Sequence, residues 1–153
     1  LADAAVRDYQ LGRHCINAFH ARSSHHFGLL KVIEGATHFE NCIWHLERFI
    51  KHARAVRACP TAEPELKLLI PKNAILLNGV VETKVTQLRH ALAHLEGKNS
   101  KVPAGTGLTL LPQNQGLVMG EFSISWDELV SWLSEANLCA SNVARFKPSL
   151  PEA

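Results

Sequence analysis

Apolar and small residues recur at steps of three and four through Leu29, Val32, Ile33, Ala36, Phe39, Ile43, Leu46, Ile50 and Ala53. Such steps fall on one stripe of a helix, so the spacing predicts a long amphipathic helix from Leu29 to Val56. Gly35 weakens its first third, and Thr37 with Glu40 has the form of a capping box. The pattern therefore leaves open one helix or two joined near residues 35–37. An earlier helix is expected over residues 2–21, ending at Arg22-Ser23-Ser24, where a new start signal appears.

Pro60 and Pro64 punctuate the chain after the long stripe, and the acidic and polar residues between them predict a loop. Ile75-Leu76-Leu77-Asn78-Gly79-Val80-Val81 is ambiguous. Asn-Gly between apolar runs is a hairpin signal, yet the apolar spacing also suits a helix. A helix over about 80–95 is the favoured reading, burying Val81, Val85, Leu88, Leu92 and Leu95 and stopping at Gly97. Residues 98–107 turn to Gly, Pro, Ser and Lys, the composition of a surface loop. Apolar runs at 108–111 and 118–124 flank Pro112-Gln113-Asn114-Gln115-Gly116 and predict a small β-hairpin. Ser125-Trp126-Asp127-Glu128 is a capping box opening a last helix to about Ala144, with Leu129, Trp132, Leu133, Ala136 and Ala140 on its apolar face.

The fold class that follows is mainly α: a helical bundle with a small β-hairpin before the C-terminal helix. With 153 residues and 46% apolar content the chain suits one domain, placed at 1–146, followed by a flexible tail at 147–153. No apolar run reaches membrane-spanning length, and the first residues lack the pattern of a signal peptide, so a soluble cytoplasmic protein is expected. Cys15, Cys42, Cys59 and Cys139 show no C-x-x-C spacing, which argues for reduced, mostly buried thiols. A net charge of +2 with His neutral does not mark a bulk nucleic-acid binder. The basic run Arg48, Lys51, His52, Arg54 and Arg57 reads as the solvated face of a helix, with an RNA-binding edge as the minority reading. Trp44, Trp126 and Trp132 sit within helical apolar patterns and are expected to be packing anchors.

The stretch richest in chemistry is Arg89-His90-Ala91-Leu92-Ala93-His94. Arg carries a permanent planar fork that matches phosphate oxygens, and His is the side chain best placed to move a proton near neutrality. Residues five apart are separated by about 140° around a helix axis, so Arg89 and His94 do not share one face. As a bare string, R-x4-H more often marks a surface pair than a catalytic one.

This hexapeptide resembles the R-x4-6-H signature of the HEPN superfamily, small helical domains that include metal-independent ribonucleases. His90 stands where the family usually has Asn, Asp or His, and Leu95-Glu96-Gly97 looks like the family's ending. Beyond the motif, only a general helical layout over about residues 1–145 is similar. The resemblance implies a HEPN-like homodimer that brings Arg and His of both subunits into one cleft, and RNA cleavage through the 2′-hydroxyl. It assigns catalytic roles to Arg89, His90 and His94, and makes Glu40 and Glu47 candidates for the carboxylate that holds the Arg. It implies no cofactor and a toxin or phage-defence setting, with an antitoxin or other regulatory protein as a further partner.

Two other functions fit the same residues. His90 and His94 are about 40° apart on a helix, a spacing that suits two metal ligands. His45 or His38 would be a third, in a bundle that resembles DinB-like metal-binding proteins, although Gly97 interrupts the helix that usually follows. For His38, His45 and His52, spaced by seven, a partly exposed stripe beside the core is the stronger reading. The remaining alternative is a HEPN-like fold without nuclease activity, acting as an RNA- or protein-binding module.

Overall fold

The computed structural model describes residues 1–21, 25–95, 111–113, 115–119 and 122–147. Among these residues, five α-helices and three strands follow in the order α1 (Ala2–Ala21), α2 (His25–Ala58), α3 (Pro64–Leu68), α4 (Gly79–Leu95), β1 (Leu111–Gln113), β2 (Gly116–Met119), β3 (Phe122–Ser125) and α5 (Trp126–Ala144). The chain is thus mainly helical, with a small antiparallel sheet before the C-terminal helix. Side-chain pairs set the directions: Asp8 faces His38 and His45, Glu47 faces Arg89, Arg54 pairs with Glu82 and Lys84 with Glu128. The pairs 47/89 and 54/82 run α2 and α4 antiparallel, and α1 and α2 are antiparallel too, since Gly12 lies against Phe39 and Cys15 beside Gly35.

The α2 stripe builds the centre. Ala36, Phe39, Ile43, Leu46, Ile50 and Ala53 are buried, and Phe39, Ile43, Leu46 and Ile50 meet Leu76, Val81, Val85, Leu88, Leu129, Trp132, Leu133 and Ala136 in one core. Ile33 departs from the expected stripe and is 52% exposed. One unbroken helix covers 34 residues, and Thr37 makes no cap. Its hydroxyl instead donates to the Ile33 carbonyl at 3.1 Å, the back-bond of a Thr inside a helix.

Asn78-Gly79 is a helix start and not a hairpin turn. Asn78 Oδ1 accepts from the Val80 N–H at 2.9 Å, and the Asn78 carbonyl takes the first helical bond from Glu82 at 3.0 Å. Ahead of it, Ile75–Leu77 form a single 3-10 turn whose free N–H groups at Ile75 and Leu76 donate to Glu135 of α5, at 3.0 and 2.6 Å. The loop expected between Pro60 and Pro64 is present, and a short helix, α3, follows it with Pro64 at its first turn. Part of the basic run pins this connection. Arg54 donates to the Leu77 carbonyl at 2.8 Å and Arg57 to the Ile70 carbonyl.

The β element is a three-strand meander in the order β1-β2-β3, where the sequence predicts two strands. Pro112 and Gln113, expected in a turn, belong to β1 and pair with Leu117 and Gly116. Pro112 is tolerated because β1 is an edge strand. The run 118–124 divides into β2 and β3 because Leu117 and Ile124, cross-strand partners, both go into the core. Gly116 allows the tight pairing, since a Cβ there would lie 2.0 Å from the Ile124 carbonyl oxygen. Expectations for 98–107, Gly97 and 148–153 fall outside the described residues.

At α5 the capping box forms as the sequence predicts. The Glu128 N–H donates to Ser125 Oγ, and the Ser125 N–H donates to Glu128 Oε2 at 2.9 Å. Partial burial pushes the Glu128 carboxyl up, but the Lys84 ammonium and the two Ser125 donors together outweigh it and hold it below the usual 4.5. A carboxyl lowered in the folded state contributes stability above its unfolded value, and that contribution is lost as pH falls through the folded value. Ser125→Ala is therefore expected to cost about 1 kcal/mol at pH 7, with a smaller difference from wild type below pH 4. Urea unfolding at both pH values checks this.

Candidate functional site

Helix α2 carries two polar flanks on either side of its apolar stripe. His45 and Glu47, two residues apart, point about 200° from each other around the axis. His45 therefore turns toward α1 and Glu47 toward α4.

On the α4 side, Arg89 is half-buried and Glu47 is buried. Arg89 Nε lies 3.5 Å from Glu47 Oε2, and its guanidinium carbon sits 4.4 Å from the centre of the Trp44 ring. Trp44 and Glu47 are three residues apart on α2, so they share a flank and grip the same side chain from two directions. The second Glu47 oxygen accepts from Lys51 Nζ at 2.8 Å, one turn further along. The carboxylate thus has two cations, and the ring adds an attraction to the flat guanidinium face. Arg89 Nε itself is buried and makes no hydrogen bond, because the carboxylate is too distant or poorly aligned.

Of the two carboxylates proposed from the sequence, Glu47 is the one beside Arg89; Glu40 lies half-buried two turns earlier on α2. His90 is exposed on α4. The backbone of His94 continues α4, and its side chain falls outside the described residues, as do those of Ala91, Leu92, Ala93 and Leu95. The structure therefore supplies the Arg89 half of the motif in detail and fixes the helix that carries the other half. Trp44 is not the packing anchor that the sequence predicts. It is 40% exposed, whereas Trp132 is buried and Trp126 packs against Tyr9 and Phe39. Its position just off the apolar stripe was the available signal.

On the α1 side, Asp8 is a buried carboxylate at 6% exposure. His38 Nδ1 lies 3.4 Å from Asp8 Oδ1, and His45 Nε2 lies 3.6 Å from Oδ2. His45 Nδ1 is buried without a hydrogen-bond partner. This places the imidazole of His45 on the α1 seam. Among the described residues, the one grouping of potential metal donors is Cys15, Glu34 and His38, a set that the sequence reading did not assemble.

Glu47→Gln keeps the side-chain volume and removes the charge beside Arg89. We expect it to cost about 1–3 kcal/mol, as for a hydrogen bond or pair involving a charged group. Trp44→Leu is expected to cost less, about 0.5–1 kcal/mol from the lost cation–π contact. Denaturant unfolding of the two variants gives both numbers, and the double variant tests whether they share Arg89.

Compared with family models, with curated proteins and with solved structures, the chain matches none, so the likeness to the HEPN superfamily stands on the motif of α4 and the helical layout alone.

Proposed function

We propose that the protein is a HEPN-like, metal-independent endoribonuclease whose active site forms where two copies of α4 meet in a homodimer. The observation that carries this reading is the grip on Arg89. Side-chain entropy opposes ordering an Arg, yet a buried carboxylate and an indole face hold Arg89 on this flank. A phosphate-binding Arg gains from being fixed before substrate arrives.

In this reading the 2′-hydroxyl oxygen of RNA attacks the adjacent phosphorus and the bond to the 5′-oxygen breaks. His94 takes the proton from the attacking hydroxyl or delivers one to the leaving oxygen, and its counterpart in the second subunit performs the complementary transfer. Arg89 neutralises charge on the non-bridging oxygens as it builds. His90, exposed one residue beyond Arg89, orients the phosphate or the partner's motif. Glu47 and Trp44 touch no substrate and act as positioning residues for Arg89. The products carry a 2′,3′-cyclic phosphate and a 5′-hydroxyl, and DNA, without the hydroxyl, is spared. A cytoplasmic toxin or phage-defence role, restrained by an antitoxin or other regulatory protein, is the setting that the resemblance implies.

Cleavage of a labelled structured RNA tests the proposal. Wild-type protein is expected to cut in EDTA and leave cyclic-phosphate ends. His94→Ala is expected to lose about 100- to 10,000-fold in rate, the usual worth of a general acid or base, and Arg89→Ala to be similarly impaired. RNA binding without cleavage, unchanged in His94→Ala, would instead identify a binding module.

A further inference from the structure

We propose that Cys15, Glu34 and His38 form a zinc site that clamps α1 to α2. Their donor atoms, one sulfur, one carboxylate oxygen and one ring nitrogen, all lie within 4.8 Å of one another. Glu34 and His38 are one turn apart on α2, and Cys15 projects from α1. Sulfur, imidazole and carboxylate on three arms, with a fourth position for water, is a donor set that zinc accepts. Tetrahedral zinc with bonds of about 2.0–2.3 Å spaces its donors about 3.3–3.8 Å apart, so closure needs a shift of about 1 Å. Glu34, with its side chain 48% exposed, has the freedom to make it.

Two features support the assignment. First, the helices approach closely at this level because residues 12 and 35 are Gly. A Cβ on Gly35 would stand 3.3 Å from the Cys15 Cβ and 3.4 Å from the Gly12 carbonyl oxygen. Secondly, Asp8 lies 3.4 Å from His38 Nδ1, the place of the carboxylate that commonly orients a metal-bound imidazole. The Cys15 thiol is buried in this seam. Binding zinc would release its proton to solvent and give the thiolate a cation. Lys31, whose ammonium is 2.5 Å from Glu34, already supplies positive charge to this carboxylate and would give way to the metal. His38 and Glu47 are nine residues apart, about 13 Å along α2, so the site is separate from Arg89 and compatible with cleavage that resists EDTA.

The test uses the full 153-residue chain, stripped with chelator and titrated with cobalt(II), then zinc(II). One equivalent of cobalt is expected to give a thiolate-to-cobalt absorption band that zinc removes. Cys15→Ser and His38→Gln should abolish the band while helical circular dichroism persists, and Cys59→Ser, altering the half-exposed thiol beyond α2, should keep it. Asp8→Asn is expected to weaken zinc by about 10- to 100-fold. Absence of a thiolate band in wild type, or a band that survives Cys15→Ser and disappears with Cys59→Ser, would overturn the proposal. His38→Gln, at a partly exposed position, decides the matter if Cys15→Ser fails to fold.

Discussion

The ring of Phe39 occupies the space in which residue 12 would carry a side chain: a Cβ on Gly12 would lie 2.8 Å from two of its ring carbons. Helix α1 can therefore lie close against α2 only while position 12 remains bare. The same ring stands 6.3 Å from Tyr9 and 5.3 Å from Trp126, which ties the helix pair to α5 through edge-on and tilted aromatic contacts. Such contacts add about 0.5–1.5 kcal/mol each beyond the area they bury. The indole of Trp126 in turn lies under the Arg13 guanidinium. One apolar side chain on α2 thus touches both α1 and α5, and the α1–α2 seam is where Cys15, Glu34 and His38 come within 4.8 Å of one another and Asp8 meets His38.

Much of this fold was legible in the sequence because its periodic signals are strong. The α2 stripe, the α1 span and the Ser125-Glu128 box all act within a few residues, and local hydrogen bonding or one buried face decides them. The sequence left the fold open where a local signal has two outcomes. Asn78-Gly79 serves a hairpin turn or a helix cap equally well, and Glu135, 57 residues after Asn78, biases the choice by binding the N–H groups just before it. Thr37 and Glu40 have a capping-box spacing, but buried Ala36 and Phe39 keep the helix intact through them. The run 118–124 divides between β2 and β3, whose pairing sets Leu117 opposite Ile124 with both buried.

For the candidate site, the type of residue was legible and its partner was not. Sequence spacing marks Arg89, and the family resemblance supplies two carboxylates for it. Only the rotation of α2 against α4 selects Glu47, because Glu40 and Glu47 lie on the same side of α2 about two turns apart. Trp44 was read as core because its neighbours are core, yet it lies at the edge of the stripe, where an indole keeps one face for a cation. Cys15 carries no motif, and its meeting with Glu34 and His38 depends wholly on two glycines on different helices.

The Asn78 cap has a consequence for how the chain tolerates changes of length. A helix advances about 100° and 1.5 Å per residue from its first turn, so the eleven residues from Asn78 to Arg89 act as a phase counter. The Ile75 and Leu76 N–H groups are tied to α5, which fixes the origin of that count. Residues added between Pro60 and Pro71 would be taken up by the irregular connection around α3. A single residue added within the first three turns of α4 would swing Arg89 by a quarter turn or more, off Glu47 and Trp44, while leaving the helix as stable as before in its own backbone bonds. One asparagine thus separates a connection whose length is loosely set from a helix whose length sets the meeting of Arg89 with Glu47 and Trp44.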